Sequence, residues 1–379
     1  MQKVGIVEVA QSSGEESYLN MREFVFKTVK EVLDKVGMSR DDVETVIIGS
    51  SDVFHSGMSC ANAFDLDPTG GVLKPMGRQE GDGIQALIYA SLRILSGHYD
   101  NALVVGLIKG SEDAEDDTLT SFFADPVYTR PVGLNETVAA AMQKRLYLQR
   151  YGIAEEQCAK VVVKNLGNAL FNPYAHIKKR VSVEDVLNSK IVYDPVRAME
   201  RAPKSEGVCA MILASEDTAR KLTDKPVWIK GFGNSLDTFY LGDKDLLDGQ
   251  LKTAAANAYK MAGISDPRKE IDMAEICEPY AFQELLWSEQ LGLCAPGQGG
   301  KLIDSGVTQI TGALPINPSG GVLAMNPYTV KGLYRVAECA LQIKGKAGEH
   351  QLDRKVNTAL AHGCYGYCGQ WQGVVILGS

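Results

Sequence analysis

KEVLDKVGMSRDDVETVII (Lys30 to Ile48) and NAYKMAGISDPRKEIDMAEI (Asn257 to Ile276) are two versions of one unit, more than two hundred residues apart. In each, a helical pattern ends near a glycine, Gly37 or Gly263. A serine follows two residues later, with an aspartate within two residues of it, and an acidic residue precedes a short apolar run. Left-handed glycine at a helix end and β-branched residues in a buried run explain both parts. A glycine-rich loop leading into a further helix follows each copy: GRQEGDG (Gly77 to Gly83) and NPSGG (Asn317 to Gly321). The order predicts two similar α/β halves, residues 1–220 and 221–379, divided near SEDTARKLTDKP (residues 215–226).

The 379 residues are 45% hydrophobic and 23% charged, enough for a large core. Net charge is −8, which argues against nucleic acid as a main partner but permits a local basic pocket for a phosphorylated ligand. No apolar run reaches the roughly 18–20 residues of a membrane span, and the first residues read as strand and turn rather than a signal peptide. Eight cysteines without paired short spacings suggest reduced thiols in a cytoplasmic protein. Periodicity predicts strands over residues 4–10, 43–50, 101–106, 208–215, 227–232, 273–276 and 374–377. It predicts helices over 21–36, 84–96, 137–151, 154–170, 254–261, 284–291 and 331–343, with 113–123 as a long loop.

ALPINPSGGVLAMNP (Ala313 to Pro327), ICEPYAFQELLWSEQLGLCAPGQGG (Ile276 to Gly300) and LAHGCYGYCG (Leu360 to Gly369) resemble, in that company, the archaeal and sterol-carrier-protein-like branch of the thiolase superfamily. DPVYTRPVGL (Asp125 to Leu134) and NPYAHIKKRVSVEDVLNSKIVYDP (Asn172 to Pro195) resemble that family's central loop region. The resemblance implies an α/β protein with the five-layer αβαβα thiolase fold, two pseudo-symmetric βαβαβαββ halves. It also implies a degenerate active site. The nucleophilic cysteine of the family falls on Glu80, one catalytic histidine near Asn326 and another on Cys277, and the second cysteine on His362, with Cys364 two residues on.

Thiolysis needs a thiolate that attacks a thioester, and a carboxylate at Glu80 cannot become an acyl-thioester. Three readings of Glu80 stand: a charge satisfying helix-start amides, an acid or base in a repurposed pocket, or a register in which Asp82 is the active group. His362 is a candidate base or proton shuttle; Cys277 and Cys364 are either buried packing or relocated nucleophiles. Glu278 and Tyr280 border the inferred pocket, Tyr328 lies close to the lost histidine, and Cys364 with Cys368 lacks the spacing of a zinc ribbon, so no metal is expected.

The resemblance further implies a coenzyme A thioester as substrate, with Ser319 and Gly320 on its rim. His176, Lys178, Lys179 and Arg180 are either its phosphate contacts or an ordinary solvated loop. The expected activity is carbon–carbon bond formation or cleavage, by Claisen or retro-Claisen acyl transfer or by retro-aldol reaction, without the cysteine acyl-enzyme. A non-catalytic subunit of a hetero-oligomeric acyl-CoA complex is the alternative, and a true acyltransferase using Cys277 or Cys364 the third. A homodimer is expected, with a small zinc-ribbon/OB-fold partner or a second thiolase-like chain.

Overall fold

The computed structural model describes residues 3–12, 18–55, 66–112 and 114–379. Strand β1 (Val4–Gln11) is wholly buried, and helix α1 (Met21–Val36) follows it. Asn20 caps α1 reciprocally with Glu23, and Gly37 ends it at φ 68°. β2 (Val46–Ser50), β3 (Met76–Glu80), helix α2 (Gly83–Leu95), β4 (Asn101–Ile108) and, after a long insertion, β5 (Gly207–Ser215) complete the first repeat. The insertion carries α3 (Glu136–Tyr151) and α4 (Glu155–Ala169). The second repeat runs β6 (Val227–Leu236), α5 (Leu251–Ala262), β7 (Met273–Glu275), α6 (Ala281–Gln290), α7 (Lys331–Lys344), β8 (Thr358–Tyr365) and β9 (Trp371–Gly378). Gly263 ends α5 at φ 75°, the counterpart of Gly37 that the sequence echo predicts.

The nine strands lie in the order β3-β2-β4-β5-β1-β6-β9-β8-β7. A parallel bridge from Ala274 to Ile316 adds the start of a tenth beyond β7. Counted within each repeat, both halves run third, second, fourth, fifth, first toward a common centre. There β1 meets β6 through only two opposed pairs, Gly5 with Trp228 and Ile6 with Val227. Helix α1 covers β1 and β5 on one outer side, and α5 covers β6 and β9 on the other. Helices α2 and α7 pack against each other between the two half-sheets, giving the layers α, β, α, β, α.

Three segments differ from expectation. GRQEGDG is not a turn throughout: Met76–Glu80 pairs in parallel with β2 as an edge strand, its residues only half-buried and therefore without the apolar signature of a core strand. Residues 113–123 are not all loop, since Asp116–Ser121 is helical. HGCYGYCG (His362 to Gly369) reads in the sequence as a glycine-rich loop, but His362, Cys364 and Tyr365 sit on β8, and the turn follows them. Among the described residues no helix is long and apolar enough to cross a membrane, and no group of three or more His, Cys, Asp or Glu is placed to hold a metal.

Candidate active site

The N-termini of α2 and α7 meet at the centre of the molecule, and Asp82 joins them. Its carboxylate accepts from the Ile84 N–H of α2 at 2.9 Å and from the Gly332 N–H of α7 at 3.0 Å. A Cβ on Gly332 would stand 2.0 Å from Asp82 Oδ1 and one on Gly363 2.4 Å from it, so glycine at both positions makes room for the carboxylate. Burial pushes the Asp82 pKa up to about 6, against the pull of the Ile84 hydrogen bond and the Lys331 charge.

Glu80 is elsewhere. It ends β3 with its side chain 48% exposed, pairs with Arg78 at 2.6 Å and accepts from the Asp52 N–H. The helix-start role considered for Glu80 therefore falls to Asp82, the N-cap of α2.

Behind Asp82 lies a layer of buried groups. His362 accepts the Cys277 N–H at Nδ1 (3.2 Å), which leaves the Nε2 proton for Gln372 Oε1 at 2.6 Å. Burial lowers its pKa to about 4, and Trp287 packs edge-on at 5.0 Å. With both nitrogens engaged, this imidazole is neutral and offers no free lone pair, contrary to the base or shuttle expected of it. Cys277 and Cys364 face each other at 3.6 Å between sulfurs, and Cys364 also points at the Cys277 carbonyl. Burial holds the Cys277 thiol well above its ordinary pKa, so it is protonated and not an activated nucleophile.

Glu278 accepts from Asn165 at 2.9 Å beside the NPSGG turn, and burial, reinforced by Glu284, lifts its pKa to about 8. Ser319 is committed to Glu275 at 2.8 Å and to Arg335 at 2.6 Å, and Gly320 packs on Ala169 and Ala324. These two expected rim residues are thus interior packing. Tyr280 bonds Thr137 at 2.9 Å. Asn326 is buried with its Oδ1 unpartnered among the described residues.

A cleft of about 440 Å³ opens in the insertion, lined by Lys179, Arg201, Lys204, Asp116 and Ile177 among others, with Leu323 of the second half. Asp116, Arg201 and Ala202 also line a small inner cavity bounded by Glu136, Tyr280 and Asn326. Of the basic loop, Lys179 faces this cleft, His176 is tied to Ser205 at 2.9 Å, and Lys178 and Arg180 are exposed.

Sequence reasoning missed Glu136 and Lys331. Glu136 begins α3, and burial raises its pKa. Lys331 begins α7, is fully buried and lies 3.9 Å over the ring of Tyr328. Tyr328 stacks on Phe54 at 4.1 Å and meets Tyr365 edge-on at 5.7 Å. A signal for Lys331 existed: a cation in a first turn opposes the helix dipole, and a lysine there needs a reason.

With this geometry in place, the family follows. The chain belongs to the thiolase superfamily: residues 233–379 match the thiolase C-terminal domain-like family. It is 30% identical over 367 residues to the acetyl-CoA acetyltransferase of Methanothermobacter thermautotrophicus, spanning 93% of this chain and 94% of that protein. It is 28% identical over 231 residues to benzoylsuccinyl-CoA thiolase subunit BbsB of Thauera aromatica, 60% of each chain. The solved Ltp2-ChsH2(DUF35) aldolase shares the fold, with a TM-score of 0.84 at 20% identity over 100% of this chain and 98% of that one.

Proposed function

We propose that the chain binds an acyl-CoA thioester and makes or breaks a carbon–carbon bond by proton transfer, without a cysteine acyl-enzyme. The observation that carries this is the buried carboxylate Asp82 at the start of α2, with the thiols of Cys277 and Cys364 facing each other at 3.6 Å. The cleft beside Lys179 takes the coenzyme A phosphates, and the pantetheine arm follows the Asp116–Arg201 wall toward Glu136 and Asn326, where the inner cavity of about 10 Å³ has to widen to admit it. There Glu136, whose raised pKa suits a general base, and the Tyr328 hydroxyl facing it exchange the proton. Both Claisen-type acyl transfer and retro-aldol cleavage pass through the same thioester enolate, so one set of acid–base groups serves either.

The related acetyl-CoA acetyltransferase, the BbsB subunit and the Ltp2-ChsH2 complex support an acyl-CoA role within an assembly. We place this chain in a homodimer that associates with a small zinc-ribbon/OB-fold partner or a second thiolase-like chain. The test is product formation from 3-hydroxyacyl- or 3-ketoacyl-CoA together with intact mass: turnover without an acyl adduct supports the reading, and an acyl-cysteine sinks it. The stack of Phe54 and Tyr328 over Lys331 favours a second reading, a non-catalytic subunit. Unchanged turnover of the assembled complex on Glu136→Gln and Tyr328→Phe substitution would leave that one standing.

A further inference from the structure

Lys331 has no hydrogen-bond partner among the described residues, although its side chain is wholly buried. An ammonium carries three donors, and leaving them unmet away from water is costly; the Tyr328 ring 3.9 Å from Nζ gives it a cation–π contact but no oxygen or nitrogen acceptor. Its position adds to that cost, because Lys331 opens α7, where the helix dipole is already positive. Replacing it by an apolar residue of similar length would be the stable solution for a purely structural position. Nearby, Asn326 Oδ1 is also orphaned, and Tyr328 Oη faces Glu136 without completing a well-formed hydrogen bond. Three polar groups within six residues, on one segment and at the meeting of two helix N-termini, are thus held ready for something that is neither backbone nor side chain.

The charge state is consistent with an anion-binding role. Burial disfavours the Lys331 ammonium, whereas the nearby Glu136 and Asp82 carboxylates favour it. A protonated amine cannot attack a carbonyl, so imine chemistry is not what this site offers. A fixed cation in a site closed to water does offer strong stabilisation of negative charge that develops only during reaction.

We propose that Lys331 is a catalytic residue whose ammonium binds the thioester carbonyl oxygen as that oxygen becomes an enolate. The inference rests on the acyl-CoA reading above. In the enolisation step the proton on the carbon next to the thioester passes to the Glu136 carboxylate. The C–H electron pair becomes the new C=C bond, and the carbonyl π pair moves onto oxygen, which faces Lys331 Nζ. In retro-aldol cleavage the Cα–Cβ pair takes the place of the C–H pair, the β-hydroxyl proton leaves to the base, and the β carbon departs as a carbonyl. Reprotonation of the enolate returns the base. No redox partner is involved.

The experiment is deuterium wash-in at the α-carbon of acetyl-CoA in D₂O, followed by NMR in the full-length protein, with Lys331→Met as the variant. Wild type is expected to exchange, and K331M to exchange about 10²–10³-fold more slowly. Acetyl-CoA affinity should stay within a few-fold, and the melting temperature should be equal or higher because a buried charge has gone. Wash-in that persists in K331M overturns this inference alone, whereas absence of wash-in in the wild type overturns it together with the acyl-CoA reading. A K331M chain that fails to fold, or melts well below wild type, marks the ammonium as structural and also overturns it.

Discussion

The Asp82 carboxylate of one central helix accepts the Gly332 N–H of the other at 3.0 Å, so this side chain bridges the two repeats. Its raised pKa, about 6, means that between pH 4 and 6 the folded chain keeps a proton the unfolded chain has released. Stability from this group therefore falls as pH rises through that window, by about 3 kcal/mol. His362 works in the opposite sense: with its pKa lowered to about 4, the unfolded chain holds the extra proton, and stability rises from pH 4 to 6.5 by a similar amount. The two slopes nearly cancel in the wild type. Urea unfolding at several pH values should show Asp82→Asn gaining about 3 kcal/mol relative to wild type between pH 4 and 6.5. His362→Gln should lose about as much over the same range, and parallel profiles for all three proteins would refute both assignments.

Cys277 and Cys364 give a prediction about reactivity. Both are buried, and their sulfurs face each other at 3.6 Å. In the native protein at pH 8 neither should react with iodoacetamide on a timescale that labels both in urea. Cys277→Ala should leave kcat within about threefold, since a protonated thiol in packing contributes volume rather than nucleophilicity. A thioester mapped by peptide mass spectrometry to either residue would show that a relocated nucleophile operates here.

The fold was legible because the repeat is written twice in hydrophobic period and glycine placement: α1 and α5, both ended by left-handed glycines, announce the duplication. The edge strand Met76–Glu80 was not, since it buries little and its backbone pairing with β2 leaves no trace in side-chain pattern. That miss made Glu80 look like the helix start that Asp82 occupies. Glu136 escaped notice for a different reason. It lies on an insertion helix far along the chain from NPSGG, and only tertiary packing brings it beside Asn326. Residue type and spacing carry no information about such a meeting.

The helix that carries Glu136 is anchored by a buried ion pair. Lys144, two turns further along α3, donates to both Glu200 oxygens at 2.8 and 2.7 Å and to the Pro195 carbonyl at 2.8 Å, with both side chains almost fully buried. Lys144→Met should lower stability by about 3–5 kcal/mol because it strands the Glu200 charge. The double variant Lys144→Met/Glu200→Leu should cost less than Lys144→Met alone, a non-additivity that denaturant melts can measure. Additive losses would mean the pair is not coupled as the geometry requires.

Lys179 is the basic-loop residue that lines the cleft, while His176 is held by Ser205. If coenzyme A phosphates dock there, Lys179→Glu should weaken coenzyme A binding about tenfold by calorimetry, roughly 1.4 kcal/mol. The penalty should shrink as salt rises, because the side chain is exposed and its charge is screened over about 10 Å at 0.1 M. Lys178→Glu, one residue away and outside the cleft lining, is the control: it shares the change in net charge but not the position, so it should weaken binding by less than threefold. Equal losses in the two variants would point to diffuse attraction rather than a phosphate seat. No loss in either would move the entrance for coenzyme A away from this cleft, and with it the path past Asp116 and Arg201 to Glu136.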